Sequence, residues 1–217
     1  MKAVFLSLLL GMVLYANVAG AVSFNATVTA DNHYAIYVGD ESGVTFIGGN
    51  ELGYYGSDGG FNWTDPENFS FNVDAGDYIY IAGWSDDHVA QGWIGQFVTS
   101  TYTLLSNTTD WEVYLTFQDL DDNDSPPTET QLKNDITGVS WQAVTNYIDH
   151  GSSPWGNIAG ISQDADWIWG SPLLGGSNYG EYQIFRTQVV PEPTTILLSG
   201  LGLLGMGAYL RRRRNGK

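Results

Sequence analysis

Apolar and polar positions alternate along much of the chain, and that period of two predicts strands. Phe24, Ala26, Val28 and Ala30 alternate with Asn25, Thr27 and Thr29. Tyr34, Ile36 and Val38 predict a second strand, bounded by Asp31-Asn32 and Gly39-Asp40. Phe69, Phe71 and Val73 predict a third. Tyr78 to Trp84 is a fuller apolar run, as in a central strand, and Trp93 to Val98 follows it. Trp111, Val113, Leu115 and Phe117 share one face, Trp167 and Trp169 another, and Tyr182, Ile184 and Arg186 a third. Turn-rich stretches such as Gly48-Gly49-Asn50 and Ser57-Asp58-Gly59-Gly60 separate the strands. Many short strands with frequent turns predict an all-β, jelly-roll-like β-sandwich rather than an α/β fold. Leu132, Ile136, Val139, Ala143 and Tyr147 fit one helical face, with Gly138 and β-branched neighbours opposing a helix there.

The two ends read differently from the middle. Lys2, the apolar stretch Ala3 to Tyr15, and the small residues Ala19 and Ala21 make the pattern of a secretory signal, expected over 1–21 and cut by signal peptidase. At the other end, Thr194 to Leu210 is free of charge, and Arg211, Arg212, Arg213 and Arg214 follow it. That is a stop-transfer pattern, predicting a single transmembrane helix with the preceding domain outside. Pro191-Glu192-Pro193, the Gly-rich apolar run and the Arg cluster together resemble the PEP-CTERM sorting signal of Gram-negative bacteria, over 191–217. The resemblance implies a transient inner-membrane stage, recognition of Pro191-Glu192-Pro193 by an exosortase, and delivery to the cell surface or extracellular matrix. Gly200, Gly202 and Gly205 match a dinucleotide fingerprint in spacing only, because they lie inside the apolar run instead of between a strand and a helix.

Setting the ends aside leaves a domain of residues 22–190, and it changes the charge. Lys133 and Arg186 are its sole basic residues against 23 acidic ones, so it carries −21 where the whole chain carries −16. Such a surface repels phosphate backbones, which excludes nucleic acid as a partner. Cysteine is absent, which excludes disulfides, thiolate metal sites and a cysteine nucleophile.

Within the domain, TVTADNHYAIYVGD, Trp63 and AGDYIYIAGWSDDHVAQGWIGQF resemble the jelly-roll module of galactose-binding-domain-like proteins. ADWIWG followed by EYQIFRT resembles the strand pair flanking that module. The resemblance implies a carbohydrate-binding sandwich. Gly39-Asp40 stands where the module has Asn-Gly, and residues 110–165 match poorly.

Three kinds of chemistry are then weighed. Tryptophan faces stack on the apolar C–H faces of sugars, which makes Trp155, Trp63 and Trp93 candidate platforms against the alternative of core packing. Trp155 sits in a Ser-Ser-Pro-Trp-Gly loop, where exposure is expected. Asp119, Asp121 and Asn123 have the D-x-D-x-N spacing that opens many Ca²⁺ loops, but Asp124 and Thr130 replace the Gly and Glu of an EF-hand. The alternative is a solvated acidic loop. His33, His88 and His150 show no metal-ligand spacing, and Gly83-Trp84-Ser85 lacks the second Gly of a nucleophile elbow.

The expectation is therefore an exported surface or matrix protein, not an enzyme, that contacts extracellular polysaccharide. The competing expectations are a small glycan-active enzyme and a passive adhesion protein without a small ligand.

Overall fold

A computed structural model describes residues 20–54, 56–85, 90–175 and 181–190. Most of the signal segment, Ala19 included, and all of 191–217 lie outside the described residues, as does His88. Ala21 is described and exposed.

Twelve strands and one helix follow in order: β1 (Val22–Asp31), β2 (His33–Asp40), β3 (Gly43–Gly49), β4 (Glu67–Val73), β5 (Tyr78–Trp84), β6 (Gly92–Val98), β7 (Thr103–Leu105), β8 (Glu112–Asp119), α1 (Glu129–Ile136), β9 (Gln142–Ala143), β10 (Asn146–Asp149), β11 (Asp166–Trp169) and β12 (Glu181–Gln188). They form two antiparallel sheets packed as a β-sandwich. The first runs β10-β11-β6-β1-β4, with β7 also on β6, and the second runs β3-β2-β5-β12-β8-β9.

The alternation sets the core. In the second sheet Ile36, Ile81, Phe185 and Val113 lie side by side across β2, β5, β12 and β8. All four face the first sheet, joining Trp93, Trp167, Trp169 and Phe97 in one buried cluster. The next row, Tyr37, Tyr80, Arg186 and Glu112, points the other way. Helix α1 covers part of that outer face through Leu132 and Ile136, in a second cluster with Tyr37, Tyr80 and Ile184. Thr128 and Gln131 cap it reciprocally.

Several sequence expectations need correction. The helix stops at Ile136, where Gly138 takes a φ of +69°, and Ala143 and Tyr147 belong to β9 and β10. Residues Gly43–Gly49 form a strand, not a spacer between strands. There the glycines serve contact: a Cβ on Gly48 would meet the Phe69 ring at 2.4 Å, and one on Gly49 the Tyr34 carbonyl oxygen at 2.4 Å. Phe117 leaves the apolar face of β8. The register against β12 shifts between Glu181 and Gln183, Phe117 takes a φ of +56°, and its side chain is 81% exposed.

Every strand of the sandwich proper runs between two poles. Asp40, Val73, Tyr78 and Gln188 mark one pole, the near pole, where Val22 also lies opposite Val73. Asp31, His33, Gly49, Glu67, Trp84 and Gly92 mark the far pole. Short turns join strands at the near pole, such as Glu41-Ser42 and 74–77. The far pole holds the longer connections 50–66 and 120–128.

Candidate functional site

The polar residues that pack into the fold gather at the far pole. His33, wholly buried, opens β2. Its Nδ1 donates to the Glu51 carbonyl oxygen at 3.1 Å, and its Nε2 faces Asp122 Oδ1 at 3.0 Å. Both neighbours are acceptors, and a neutral ring carries one hydrogen. Trp84 and Phe61 pack on the ring at centroid distances of 5.4 and 5.1 Å. Asn32, next in the chain, accepts from Ser85 Oγ at 3.3 Å on its side chain and from Asn50 Nδ2 at 2.7 Å on its carbonyl. Asn50 in turn accepts the Tyr34 N–H at 2.9 Å.

A carboxyl pair borders this centre. Glu67 opens β4, and its Oε2 lies 2.7 Å from the Tyr34 hydroxyl. That hydroxyl is also 3.1 Å from the Val28 carbonyl oxygen. Tyr34 belongs to the second sheet and Val28 to the first, so the contact ties the two sheets together. Burial above all pushes the Glu67 carboxyl up to about 7, and the neighbouring Glu51 carboxylate pushes it the same way against the pull of the Tyr34 hydroxyl. Burial and the Glu67 charge hold the Tyr34 hydroxyl well above its ordinary value.

The sequence-predicted metal ligands are not part of this centre. Asp119, Asp121 and Asn123 all point to solvent, and the residue between them, Asp122, turns inward to His33. The loop is held from within: Gly53 N–H donates to the Asp122 carbonyl at 2.8 Å, and Asp121 N–H to Asp124 Oδ2 at 2.8 Å. Among the described residues, no three acidic or histidine side chains converge where they could hold a metal ion.

Two of the three tryptophan platforms are core. Trp93 is wholly buried and meets Trp111 edge-on at 4.8 Å. Trp155 is 3% exposed despite its loop, stacked on Trp167 at 4.3 Å with its Nε1 donating to Asp31 Oδ2 at 2.7 Å. Neither offers a face to a sugar. Trp63 is half-buried against the main core. Trp141 lies over the second sheet, where the Arg186 guanidinium stacks on it at 4.0 Å and on Tyr78 at 4.7 Å while pairing with Glu112 at 2.8 Å.

His150, the other described histidine, is a brace. Its Nδ1 donates to Ser162 carbonyl at 2.8 Å and its Nε2 accepts the Ile158 N–H at 2.7 Å. These bonds fix the Nδ1–H tautomer and close the loop that carries Trp155. The pairings of His33 with Asp122 and of Tyr34 with Glu67 were not legible in the sequence, because the partners lie 89 and 33 positions apart. The visible signal was Asp122 inside the acidic run, which local spacing could not assign.

Comparison with known proteins adds one match. The profile of the PEP-CTERM protein-sorting motif fits residues 189–214. No curated protein and no solved structure matches the chain. The motif marks an exported protein, sorted at the membrane of a Gram-negative bacterium, with an exosortase as its processing partner. Its first residue, Val189, is also the last core residue of the sandwich: it is wholly buried, its N–H donates to the Asp77 carbonyl at 2.8 Å, and its carbonyl accepts from Gly76 N–H at 3.0 Å.

Proposed function

We propose that the chain is a non-catalytic component of the cell surface or extracellular matrix, whose sandwich contacts polysaccharide through the loops of the far pole. The observation that carries this reading is the sorting motif joined directly to β12, which makes the sandwich the delivered cargo. The far-pole loop 50–66 offers an exposed Tyr54 ring, 61% accessible, beside the exposed Ser57, Asp58 and Asn62. That mixture of aromatic, hydroxyl, amide and carboxylate groups suits sugar hydroxyls. The charge of the domain disfavours anionic polymers, so the ligand class is a neutral or amino-sugar polysaccharide.

The non-catalytic part has its own support. His33 and His150 spend both ring nitrogens on internal bonds.

Residues 22–190 on a glycan array, with and without Ca²⁺, test the ligand. Binding to neutral or amino-sugar glycans is expected, and binding to none in either condition sinks the polysaccharide contact. Release of reducing ends from a bound glycan would overturn the non-catalytic reading. Accumulation of the full chain in the cytoplasm would overturn delivery to the surface.

A further inference from the structure

The start of the sandwich and the start of the sorting motif lie at one pole. Ala21 and Val22 adjoin the turn Thr99–Tyr102 across a shallow groove, and Val22 pairs with Val73. The turn after Val73 holds Gly76 and Asp77, which clasp Val189 between them. The expected signal-peptidase cut and the start of the sorting motif are therefore separated by little more than one β-turn. Val189 cannot move without breaking two backbone bonds and exposing a buried side chain.

The distance from this clasp to the membrane is short. Four residues, Val190 to Pro193, connect Val189 to the uncharged stretch that begins at Thr194. Val189 and Thr194 are five Cα steps apart, at most about 18 Å when fully extended. The headgroup layer alone takes up roughly 5–8 Å of that on one side of a bilayer. Strand β12 then rises away from the clasp, and its eight residues carry the opposite pole about 26 Å further out.

We infer that the membrane-held precursor stands pole-down: the near-pole turns Glu41-Ser42, 74–77 and Thr99–Tyr102 face the phospholipid headgroups, and the far-pole loops are displayed. The tether is too short for the domain to invert while Val189 stays clasped, which keeps the near pole beside the bilayer. The inference rests on the sorting motif and the clasp, and it holds whether or not the far pole binds a sugar.

The absence of cysteine makes a clean test available. Ser100→Cys places one thiol at the near pole, and Ser125→Cys places one at the far pole. Both positions are exposed. Each full-length variant, inserted in phospholipid vesicles with the domain outside, is reacted with a polyethylene-glycol maleimide too bulky to enter the headgroup layer. Severalfold slower labelling of the Ser100 variant is expected, with the two rates becoming equal once detergent dissolves the vesicles. Equal rates in the intact vesicles, or slower labelling at 125, overturn the arrangement. A glycan array that fails while this labelling pattern holds would remove the polysaccharide contact and leave the orientation standing.

Discussion

The Tyr34 hydroxyl lies 2.7 Å from Glu67 Oε2 and 3.1 Å from the Val28 carbonyl oxygen. It has one hydrogen to give, so both contacts are hydrogen bonds only when Glu67 brings a proton of its own. The chain then runs from the Glu67 O–H to the Tyr34 oxygen, and from the Tyr34 O–H to Val28. A carboxyl held up at about 7 by burial fits that arrangement.

This relationship predicts a pH dependence. The unfolded chain releases the Glu67 proton near the ordinary 4.5, whereas the folded protein keeps it to about 7. The folded state binds more protons in between, so this contribution is fully present below pH 4.5 and is lost as pH rises towards 7. Allowing for the partial exposure of the group, the loss is about 2 kcal/mol. Denaturant unfolding of wild type and Glu67→Gln across this window checks it. The glutamine variant should lose most of the slope, because an amide can donate to Tyr34 at any pH. An unchanged slope would assign the dependence to other groups.

The inward turn of Asp122 separates it sharply from its neighbours. Asp122→Ala leaves buried His33 facing an empty site and should cost about 3 kcal/mol, the usual penalty for breaking a buried pair. Asp121→Ala and Asn123→Ala remove solvent-facing groups and should stay within about 0.5 kcal/mol. Urea midpoints of the three variants decide whether the loop is organised by Asp122 or by its exposed residues.

Trp155 should behave as a core residue. Trp155→Ala removes the stack on Trp167 and leaves Asp31 Oδ2 without its indole donor, at a cost of about 4 kcal/mol. Trp155→Phe keeps an aromatic ring there and should cost clearly less. With the more accessible Trp63 and Trp141 replaced by Phe, the combined fluorescence of Trp155 and the five other buried tryptophans should be insensitive to added glycan.

Arg186 is 15% exposed and lies between an aromatic clamp and Glu112. A lysine there keeps the charge but loses the planar fork and the stacking on Trp141. Arg186→Lys should therefore destabilise by about 1 kcal/mol. A double-mutant cycle with Trp141→Leu should show coupling of about the same size. Zero coupling would mean that Trp141 is held by the sheet alone.

The strands with clean alternation were legible because one face of each is buried, and a period of two records that directly. The sorting motif was legible for a different reason: its pattern is local and read in order. What escaped was everything set by distant packing. Gly48 and Gly49 read as a turn, yet they are glycines because Phe69 and Tyr34 press on the backbone. Phe117 kept the phase of β8 on paper, and a bulge took it to the other side. The Ser-Pro-Trp-Gly loop described its backbone correctly but not where its side chain goes, since Trp167 and Asp31 supply that. The far-pole centre joins residues up to 89 positions apart, and no local spacing carries such a pairing.

The position of β12 has one more consequence. It is the last strand in the sequence but the fourth across its sheet, between β5 and β8. A chain threaded through a membrane from its N-terminus presents those two strands as open edges until residues 181–188 arrive. The sandwich is thus a lock missing its bolt until its last strand arrives, and the bolt is attached to the sorting motif. The strand that completes the fold and the motif that sorts the protein therefore follow one another directly along the chain.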